Sequence, residues 1–325
     1  MRGKILVTPR SFGAADPTVF DTLAAAGLEI LRNPDGAILT EERMIRLAAD
    51  CDGLILGVDP LTSAVLDAAP RLRAVAKYGV GLDNVDLEAC RLRGVRVSTT
   101  IGANTEAVAD YAFTLMLSLA RRLIPIDAAC RRDDWGKRMA LDVSGRTLGL
   151  VGLGAIGRAV ARRARGFGMR VLAADEVWDD AYADAQGIAR ADIDTLCREA
   201  DFISLHVPLL PSTHHMIGRE RLALMKPTAI LVNTARGGLI DETALLDALR
   251  GGRLYGAGLD VFEHEPPEDK GWYALDNVIM GAHCAASTAG AVAAMGRMSA
   301  ANLIKDLSES AISTDADSPP AAFRS

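Results

Sequence analysis

Three ionisable residues in the second half of the chain each follow a short apolar run. Arg236 lies in LVNTARGGLID, Glu265 in LDVFEHEP and His283 in VIMGAHCAAST. These apolar runs predict buried strands of a parallel sheet, and ligands bind in the crevice outside the carboxyl ends of such strands. An arginine, a carboxylate and an imidazole in one crevice suit the reduction of a 2-keto acid.

Each of these residues can take one part in such a reaction. The planar guanidinium of Arg236 can hold the carboxylate and the keto oxygen of the substrate. His283 can donate a proton to the keto oxygen while hydride reaches the carbon. Glu265 beside the imidazole would orient His283 and raise its pKa, which keeps the acid form available near neutrality. His264 is the competing acid, but it lies in a polar loop, and we therefore prefer His283 at a strand end.

Each residue also has an ordinary structural interpretation when it is taken alone. Arg236 could be a surface ion-pair partner, His283 a packed or capping residue, and Glu265 a solvated carboxylate. Their occurrence at three successive strand ends favours the catalytic interpretation.

A glycine fingerprint for dinucleotide binding precedes these residues. Gly152, Gly154 and Gly157 form VGLGAIG between a predicted strand and a predicted helix, and Asp175 ends the next predicted strand. The first glycine permits a tight turn, the second lets the backbone approach a pyrophosphate, and the third lets the helix pack closely on the strand. The carboxylate of Asp175 would accept hydrogen bonds from ribose hydroxyls and repel a 2′-phosphate, so we expect NAD rather than NADP.

Composition excludes several classes of protein. The chain has 325 residues and a net charge of −6, so it lacks the basic footprint of a nucleic-acid-binding protein. No apolar run is long enough to span a bilayer, and we expect no membrane partner. The five cysteines show neither paired nor metal-type spacing. We therefore expect reduced thiols, no metal and a cytoplasmic location.

Alternating apolar and amphipathic segments predict an α/β fold with two doubly wound parallel-sheet domains of the Rossmann or flavodoxin-like type. A nearly all-apolar helix is predicted over Asn104–Arg122, an amphipathic helix over Ser287–Leu307, and a loose tail over 315–325. The strands are predicted at 4–8, 28–31, 53–56, 73–76 and 95–97, and then at 147–151, 169–174, 202–205, 229–232, 256–260 and 278–281.

Six ordered motifs extend this pattern over almost the whole chain. They are KYGVGLDNVDLEAC, GLVGLGAIG with Asp175, HVPLLPSTHHMIG, MKPTAILVNTARGGLIDETAL, GAGLDVFEHEP and the His283 segment. The sequence resembles the D-isomer-specific 2-hydroxyacid dehydrogenases, especially the 3-phosphoglycerate dehydrogenase branch. The resemblance implies an NAD-dependent enzyme that interconverts a D-2-hydroxy acid and its 2-keto acid.

The resemblance also implies a domain organisation and a set of contacts. Residues 1–98 plus 287–325 would form a discontinuous substrate-binding domain, hinged to an NAD-binding Rossmann domain at 99–286, and the enzyme would be a homodimer. Arg236, Glu265 and His283 match the substrate-orienting arginine and the acid/base pair. The residues that match cofactor contacts, besides the fingerprint, are Ala155, Ile156, His206, Pro208, Thr213, Thr234, Ala235, Asp260 and Ala285. Those that match substrate contacts, besides Arg236, are Lys77, Tyr78, Gly79, Val80 and Gly81.

One departure from the family bears on the substrate. Phosphoglycerate dehydrogenases commonly carry an Arg-Ser pair after the third strand, whereas this chain has Leu56 and Gly57. An uncharged pair cannot neutralise a phosphate dianion, although Lys77 could partly substitute. Two alternatives therefore stay open beside a phosphoglycerate-like acid: a dehydrogenase for a phosphonate- or phosphite-type substrate, and a non-catalytic NAD-sensing co-repressor. Formate oxidation is disfavoured because Glu265 keeps a carboxylate beside the histidine.

Overall fold

The computed structural model describes residues 3–309, and the chain divides into two compact units. The first unit comprises Met1–Asn104 and Ala289–Ser325, and the second comprises Thr105–Thr288. We call them the N-terminal unit and the central unit. Their junctions follow Asn104 and Thr288, whereas the resemblance predicts junctions after residues 98 and 286. The predicted tail over 315–325 lies outside the described residues.

The N-terminal unit is a five-stranded parallel sheet with helices packed on it. Its elements are β1 (Gly3–Val7), α1 (Thr18–Ala25), β2 (Leu28–Arg32), α2 (Glu41–Ala48), β3 (Gly53–Leu56), α3 (Ser63–Asp67), β4 (Ala74–Lys77), α4 (Leu87–Leu92), β5 (Arg96–Ser98) and the final α12 (Ala289–Glu309). The strand order is β2-β1-β3-β4-β5. Helix α12 buries Leu303 and Leu307 in the same core as Ile5 and Ile55. The C-terminal helix is therefore part of this unit.

The central unit is a seven-stranded parallel sheet. Its elements are α5 (Thr105–Ala120), α6 (Leu123–Cys130), β6 (Thr147–Val151), α7 (Ala155–Gly166), β7 (Arg170–Ala174), α8 (Asp180–Gln186), β8 (Ile188–Arg190), α9 (Ile193–Glu199), β9 (Phe202–Leu205), α10 (Arg219–Leu224), β10 (Ile230–Asn233), α11 (Glu242–Arg250), β11 (Gly256–Leu259) and β12 (Val278–Met280), with 3₁₀ turns at Gly237–Leu239 and Lys270–Ala274. The strand order is β12-β11-β10-β9-β6-β7-β8. Strand order reverses at β6, which is where open α/β sheets bind ligands.

The predicted fold class is confirmed, and the differences are local. The predicted helix over Asn104–Arg122 ends at Ala120, because Arg122 adopts a left-handed conformation with φ of 51° and α6 begins after it. The predicted helix over Ser287–Leu307 begins at Ala289 and continues to Glu309. The three-residue edge strand β8 was not predicted, because its run is too short to show a period of two.

Candidate active site

The first and third glycines of the fingerprint are required by close backbone contacts. Gly152 has φ of 99°, and a Cβ there would lie 2.5 Å from the carbonyl oxygen of His206. A Cβ on Gly157 would lie 2.1 Å from the carbonyl oxygen of Gly152. Both positions therefore exclude a side chain, as the tight turn and the close helix packing of the motif require.

The second glycine is different because nothing of the protein fills the space beside it. A Cβ on Gly154 would meet no atom within 4 Å. Gly154 is also the N-cap of α7 and gives no side-chain cap to the N–H groups of the first turn, which contains Ala155 and Ile156. Free N–H groups and open space at a helix N-terminus fit a dinucleotide pyrophosphate.

Asp175 follows β7 and lies beside the glycine turn. Its carboxylate accepts a hydrogen bond from Leu153 N–H at 2.5 Å and one from Val177 N–H at 2.9 Å. These bonds fix the carboxylate between the fingerprint and the chain that leaves β7. The adjacent Arg158 donates to the Leu153 carbonyl oxygen at 3.0 Å and pairs with Asp179 at 3.0 Å. Asp175 thus lies at the end of β7 beside the glycine turn, and its contact with a ribose stays a prediction.

The chain after β9 brings His206, Pro208 and Thr213 into one loop. The ring Nε2 of His206 lies 2.9 Å from Ser204 Oγ, and burial lowers the pKa of the imidazole to about 4. His206 is therefore neutral at pH 7. Thr213 Oγ1 donates to the Pro208 carbonyl oxygen at 2.8 Å and accepts from Leu210 N–H at 2.8 Å. Thr213 accordingly shapes this loop through its hydroxyl.

The segment after β10 is held by Asn233, which the sequence analysis did not single out. Asn233 is fully buried, its amide nitrogen donates to the Arg236 carbonyl oxygen at 2.8 Å, and its amide oxygen accepts from Ala235 N–H at 3.0 Å. The polar residue at the end of an apolar strand was the signal for this role. Thr234 Oγ1 is buried and has no hydrogen-bond partner within residues 3–309. Such an orphaned hydroxyl fits contact with a bound cofactor.

Asp260 clamps the segment that follows β12. It is 1% exposed, and its carboxylate accepts from Cys284 N–H at 3.0 Å and Ala285 N–H at 2.8 Å. Its carbonyl oxygen accepts from His283 N–H at 2.7 Å. Both carboxylate oxygens are therefore engaged with backbone, and Asp260 sets the position of His283 as well as that of Ala285.

Glu265 and His283 form a hydrogen-bonded pair. His283 Nδ1 lies 3.2 Å from Oε1 and 3.1 Å from Oε2 of Glu265. Burial raises the pKa of Glu265, but the hydrogen bond and charge of His283 and the charge of Arg236 outweigh it, so the net pKa is lowered. The carboxylate is thus ionised at neutral pH beside the imidazole. His264, the competing acid, is exposed on the same loop.

Arg236 belongs to the same cluster through backbone packing. Its Nη1 donates to the Ala235 carbonyl oxygen at 2.7 Å. A Cβ on the next residue, Gly237, would lie 2.0 Å from the carbonyl carbon of Phe262 and 2.2 Å from Glu263 N. The chain that carries Arg236 therefore lies directly against the loop that carries Glu265.

The predicted substrate contacts follow β4 in the N-terminal unit. Lys77 is 4% exposed, and its ammonium donates to the Gly57 carbonyl oxygen and to Asn84 Oδ1, each at 2.5 Å. Gly79 has φ of 138°, and its N–H donates to Thr100 Oγ1 at 2.9 Å.

The two residues on either side of Gly79 differ in what they contact. Tyr78 donates its hydroxyl to the Val292 carbonyl oxygen at 3.1 Å. Val80 is exposed at the tip of the loop, and Gly81 is half-buried after it. The buried lysine therefore supports the loop, whereas the tip is open to a ligand.

One further group of side chains has metal-ligating atoms close together. In the described part of the chain, His214, His215 and Glu263 each offer one such atom within 4.8 Å of the others. The two imidazole rings stack with centroids 3.9 Å apart and an interplanar angle of 23°. Lone pairs of nearly parallel rings do not converge on one ion. The expected absence of a metal stays a prediction.

A glycine turn at the switch point of a parallel sheet, with an arginine and a Glu–His pair at neighbouring strand ends, defines an NAD-dependent dehydrogenase. Comparison with known proteins gives the family. Residues 113–285 match the family model for the NAD-binding domain of the D-isomer-specific 2-hydroxyacid dehydrogenases. The chain belongs to this family and is an NAD-dependent D-2-hydroxyacid dehydrogenase.

Individual relatives agree with this assignment. The chain is 45% identical over 278 residues to a glyoxylate reductase of Korarchaeum cryptofilum, covering 83% of this chain and 84% of that protein. It is 42% identical over 273 residues to a D-3-phosphoglycerate dehydrogenase of Methanocaldococcus jannaschii, covering 83% of this chain but 52% of that protein. The structure of D-lactate dehydrogenase from Aquifex aeolicus, complexed with NAD and lactic acid, aligns with a TM-score of 0.83 and 29% identity over 95% of this chain and 96% of that chain. The phosphoglycerate branch is therefore one neighbour among several.

Among residues 3–309, no helix combines the length and the apolar character needed to cross a membrane.

Proposed function

We propose that this dehydrogenase reduces a small, unphosphorylated 2-oxo acid with NADH, and that glyoxylate is its preferred substrate. The observation that carries the proposal is the Glu265–His283 pair, with Arg236 on the adjoining backbone and the uncharged residues Leu56 and Gly57 at the end of β3. The similarity to a glyoxylate reductase supports the same substrate class.

The reaction divides among the three side chains. When held by the glycine turn and the N-terminus of α7, NADH would supply the hydride for the carbonyl carbon. Arg236 holds the substrate carboxylate and polarises the keto oxygen through its planar fork. His283 donates the proton on its ring Nε2 to that oxygen, so the C=O bond becomes CH–OH. Glu265, hydrogen-bonded to Nδ1, orients the ring and stabilises its protonated form before transfer. His283 then recovers a proton from solvent.

The residues after β3 support a substrate without a phosphate group. Leu56 is fully buried and Gly57 is buried beside it, so neither presents a charge. Lys77 is engaged with the Gly57 carbonyl oxygen and Asn84. The neighbouring Asp59 is a buried carboxylate that accepts from Leu39 N–H at 2.8 Å. A phosphate dianion would meet a buried acid here, with Lys77 already occupied by protein oxygens.

Steady-state kinetics of NADH oxidation test the substrate class. We expect kcat/KM for glyoxylate to exceed that for 3-phosphohydroxypyruvate by about 100-fold or more, since an unpaired charge at a binding site costs several kcal/mol. Hydroxypyruvate, which adds one uncharged hydroxymethyl group, should fall between them. A kcat/KM for phosphohydroxypyruvate equal to or above that for glyoxylate would contradict the proposal.

We also infer that the enzyme prefers NAD over NADP and that it is a cytoplasmic homodimer. Asp175 supports the cofactor preference, because its carboxylate would repel a 2′-phosphate.

The apolar side chains after α5 support a dimer surface, since Leu123 is 59%, Trp135 75% and Met139 90% exposed. The five cysteines are all free thiols, which suits a reducing compartment. Light scattering of the purified protein would measure the oligomeric state.

A further inference from the structure

A residue outside the Glu265–His283 pair anchors the loop that carries Glu265. The first residue of α11, Glu242, accepts a hydrogen bond from Glu263 N–H on its Oε1 at 2.6 Å. Glu263 is two residues before Glu265. We propose that Glu242 is a positioning residue for the reaction, because it holds this loop against the segment that carries Arg236. The inference rests on the proposed roles of Arg236 and Glu265.

Glu242 is placed to couple the two segments. The chain runs from Arg236 through the 3₁₀ turn Gly237–Leu239 into α11, whose N-cap Asp241 accepts from Ala244 N–H at 2.9 Å. Glu242 is therefore fixed on a capped helix that follows directly from Arg236. Gly237 makes the second connection, because its backbone touches Phe262 and Glu263 too closely to admit a Cβ. One segment thus contacts the Glu265 loop at two points.

The charges around Glu242 favour a functional explanation for the presence of a carboxylate at this position. Burial raises the pKa of Glu242, and the charges of Glu263 and Glu265 raise it further, whereas Glu263 N–H and His264 lower it. Three carboxylates on adjoining segments repel one another. A carboxylate kept in such a place departs from what stability alone would select, and such departures concentrate at functional sites.

A second contact holds the side chain of Glu263. Its carboxylate is hydrogen-bonded to His215 Nε2, and His214 Nε2 lies 3.9 Å from the same oxygen. His215 and Glu263 are about one-third exposed, so water competes for this contact. The half-buried carboxylate of Glu242 is therefore the stronger restraint on the backbone of the loop.

The rate of the reaction should depend on this restraint, because the Glu265–His283 contact forms only when the two side chains are at hydrogen-bonding distance. Glu265 reaches His283 Nδ1 at 3.1 and 3.2 Å, and a displacement of about 1 Å would break both contacts. A misplacement of that size can lower a rate by about 10²-fold. Cofactor binding depends mainly on the glycine turn after β6 and on Asp175 after β7, which Glu242 does not contact, so the Kd of NADH should change little.

Two nearly isosteric variants isolate the hydrogen bond. Glu242→Met keeps the volume and removes the acceptor, whereas Glu242→Gln keeps an acceptor oxygen and removes the charge. Thr243→Ala, an exposed change in the same helical turn, is the matched control. We expect kcat/KM for glyoxylate to fall at least tenfold in Glu242→Met, to stay within threefold of wild type in Glu242→Gln, and to be unchanged in Thr243→Ala. The Kd of NADH should stay within twofold in all three.

Amide hydrogen exchange over residues 261–265 is the readout that does not depend on turnover. Exchange should be faster in Glu242→Met than in Glu242→Gln. The inference is overturned if Glu242→Met exchanges and turns over like wild type, or if Glu242→Gln loses as much activity as Glu242→Met. Glu265→Gln distinguishes failure of the proposed function from failure of the positioning role. Full activity in Glu265→Gln would contradict the proposed function of the pair. Loss of activity in Glu265→Gln together with full activity in Glu242→Met would contradict the positioning role alone.

Discussion

His283 and Glu265 meet through the ring Nδ1 of the histidine and both carboxylate oxygens of the glutamate, at 3.2 and 3.1 Å. The backbone of His283 is fixed as well, since its N–H donates to the Asp260 carbonyl oxygen at 2.7 Å. The bond at Nδ1 leaves Nε2 to carry the proton that is transferred. The pair therefore specifies which ring nitrogen is the acid.

Removing the charge of Glu265 should lower the rate with little effect on cofactor affinity. We expect Glu265→Gln to reduce kcat about 10²-fold or more, because the amide no longer stabilises the protonated imidazole. His264→Asn changes the exposed neighbour on the same loop and should keep the wild-type kcat. Initial rates of NADH oxidation with glyoxylate measure both, and a wild-type kcat in Glu265→Gln would exclude the carboxylate from the reaction.

Alanine substitutions at two glycines of the fingerprint should have different effects, one on cofactor binding and one on stability. Gly154→Ala places a Cβ where no protein atom lies within 4 Å, so the fold should be retained while the pyrophosphate is obstructed. Gly157→Ala places a Cβ 2.1 Å from the Gly152 carbonyl oxygen and should destabilise the protein by about 1–3 kcal/mol. Thermal melting and NADH titration distinguish the two effects. Equal melting temperatures in both variants would contradict this division.

Asp175 should control the choice between NAD and NADP. Asp175→Ser removes the charge that we expect to face the ribose, so the preference for NADH over NADPH should fall about tenfold or more, mostly through KM. The change also removes the acceptor of Leu153 N–H, so the affinity for NADH itself should decrease. Steady-state kinetics with each cofactor measure the ratio. An unchanged preference for NADH over NADPH would mean that another group recognises the 2′ position of the ribose.

His206 should make stability depend on pH in a defined window. Burial lowers its pKa from 6.5 to about 4, so the unfolded state binds more protons between these values. The contribution is fully present above pH 6.5 and is lost as the pH falls towards 4, by about 3 kcal/mol at most. His206→Gln should remove this component. Urea unfolding of both proteins at pH 7 and pH 5 measures it, and parallel losses of stability in the two would refute it.

The sequence was sufficient for the features that depend on local spacing. The turn at Gly152, the close packing at Gly157 and the parallel strands could all be predicted, because each follows from neighbouring residues. The pairing of Glu265 with His283 also could be predicted, because the ends of adjacent parallel strands meet at one edge of the sheet.

Roles that depend on distant contacts could not be predicted. Asn233 and Glu242 act through hydrogen bonds to the backbone of loops whose course the sequence does not reveal. Lys77 is a further example, because the sequence does not reveal the protein partners of its ammonium. The structure buries that ammonium against Gly57 and Asn84, and its contact with the substrate stays a prediction. In each case the tertiary position of a backbone carbonyl or N–H group decides the role.

The most direct test is NADH oxidation with glyoxylate by the wild-type protein and by His283→Ala, with NADH binding measured in both. We predict turnover by the wild type and a loss of about 10²–10⁴-fold in the variant, with a similar Kd for NADH. Turnover that survives in His283→Ala would contradict the assignment of the acid. Tight NADH binding by the wild type without turnover of glyoxylate or any other 2-oxo acid would contradict the account as a whole and favour an NAD-sensing role.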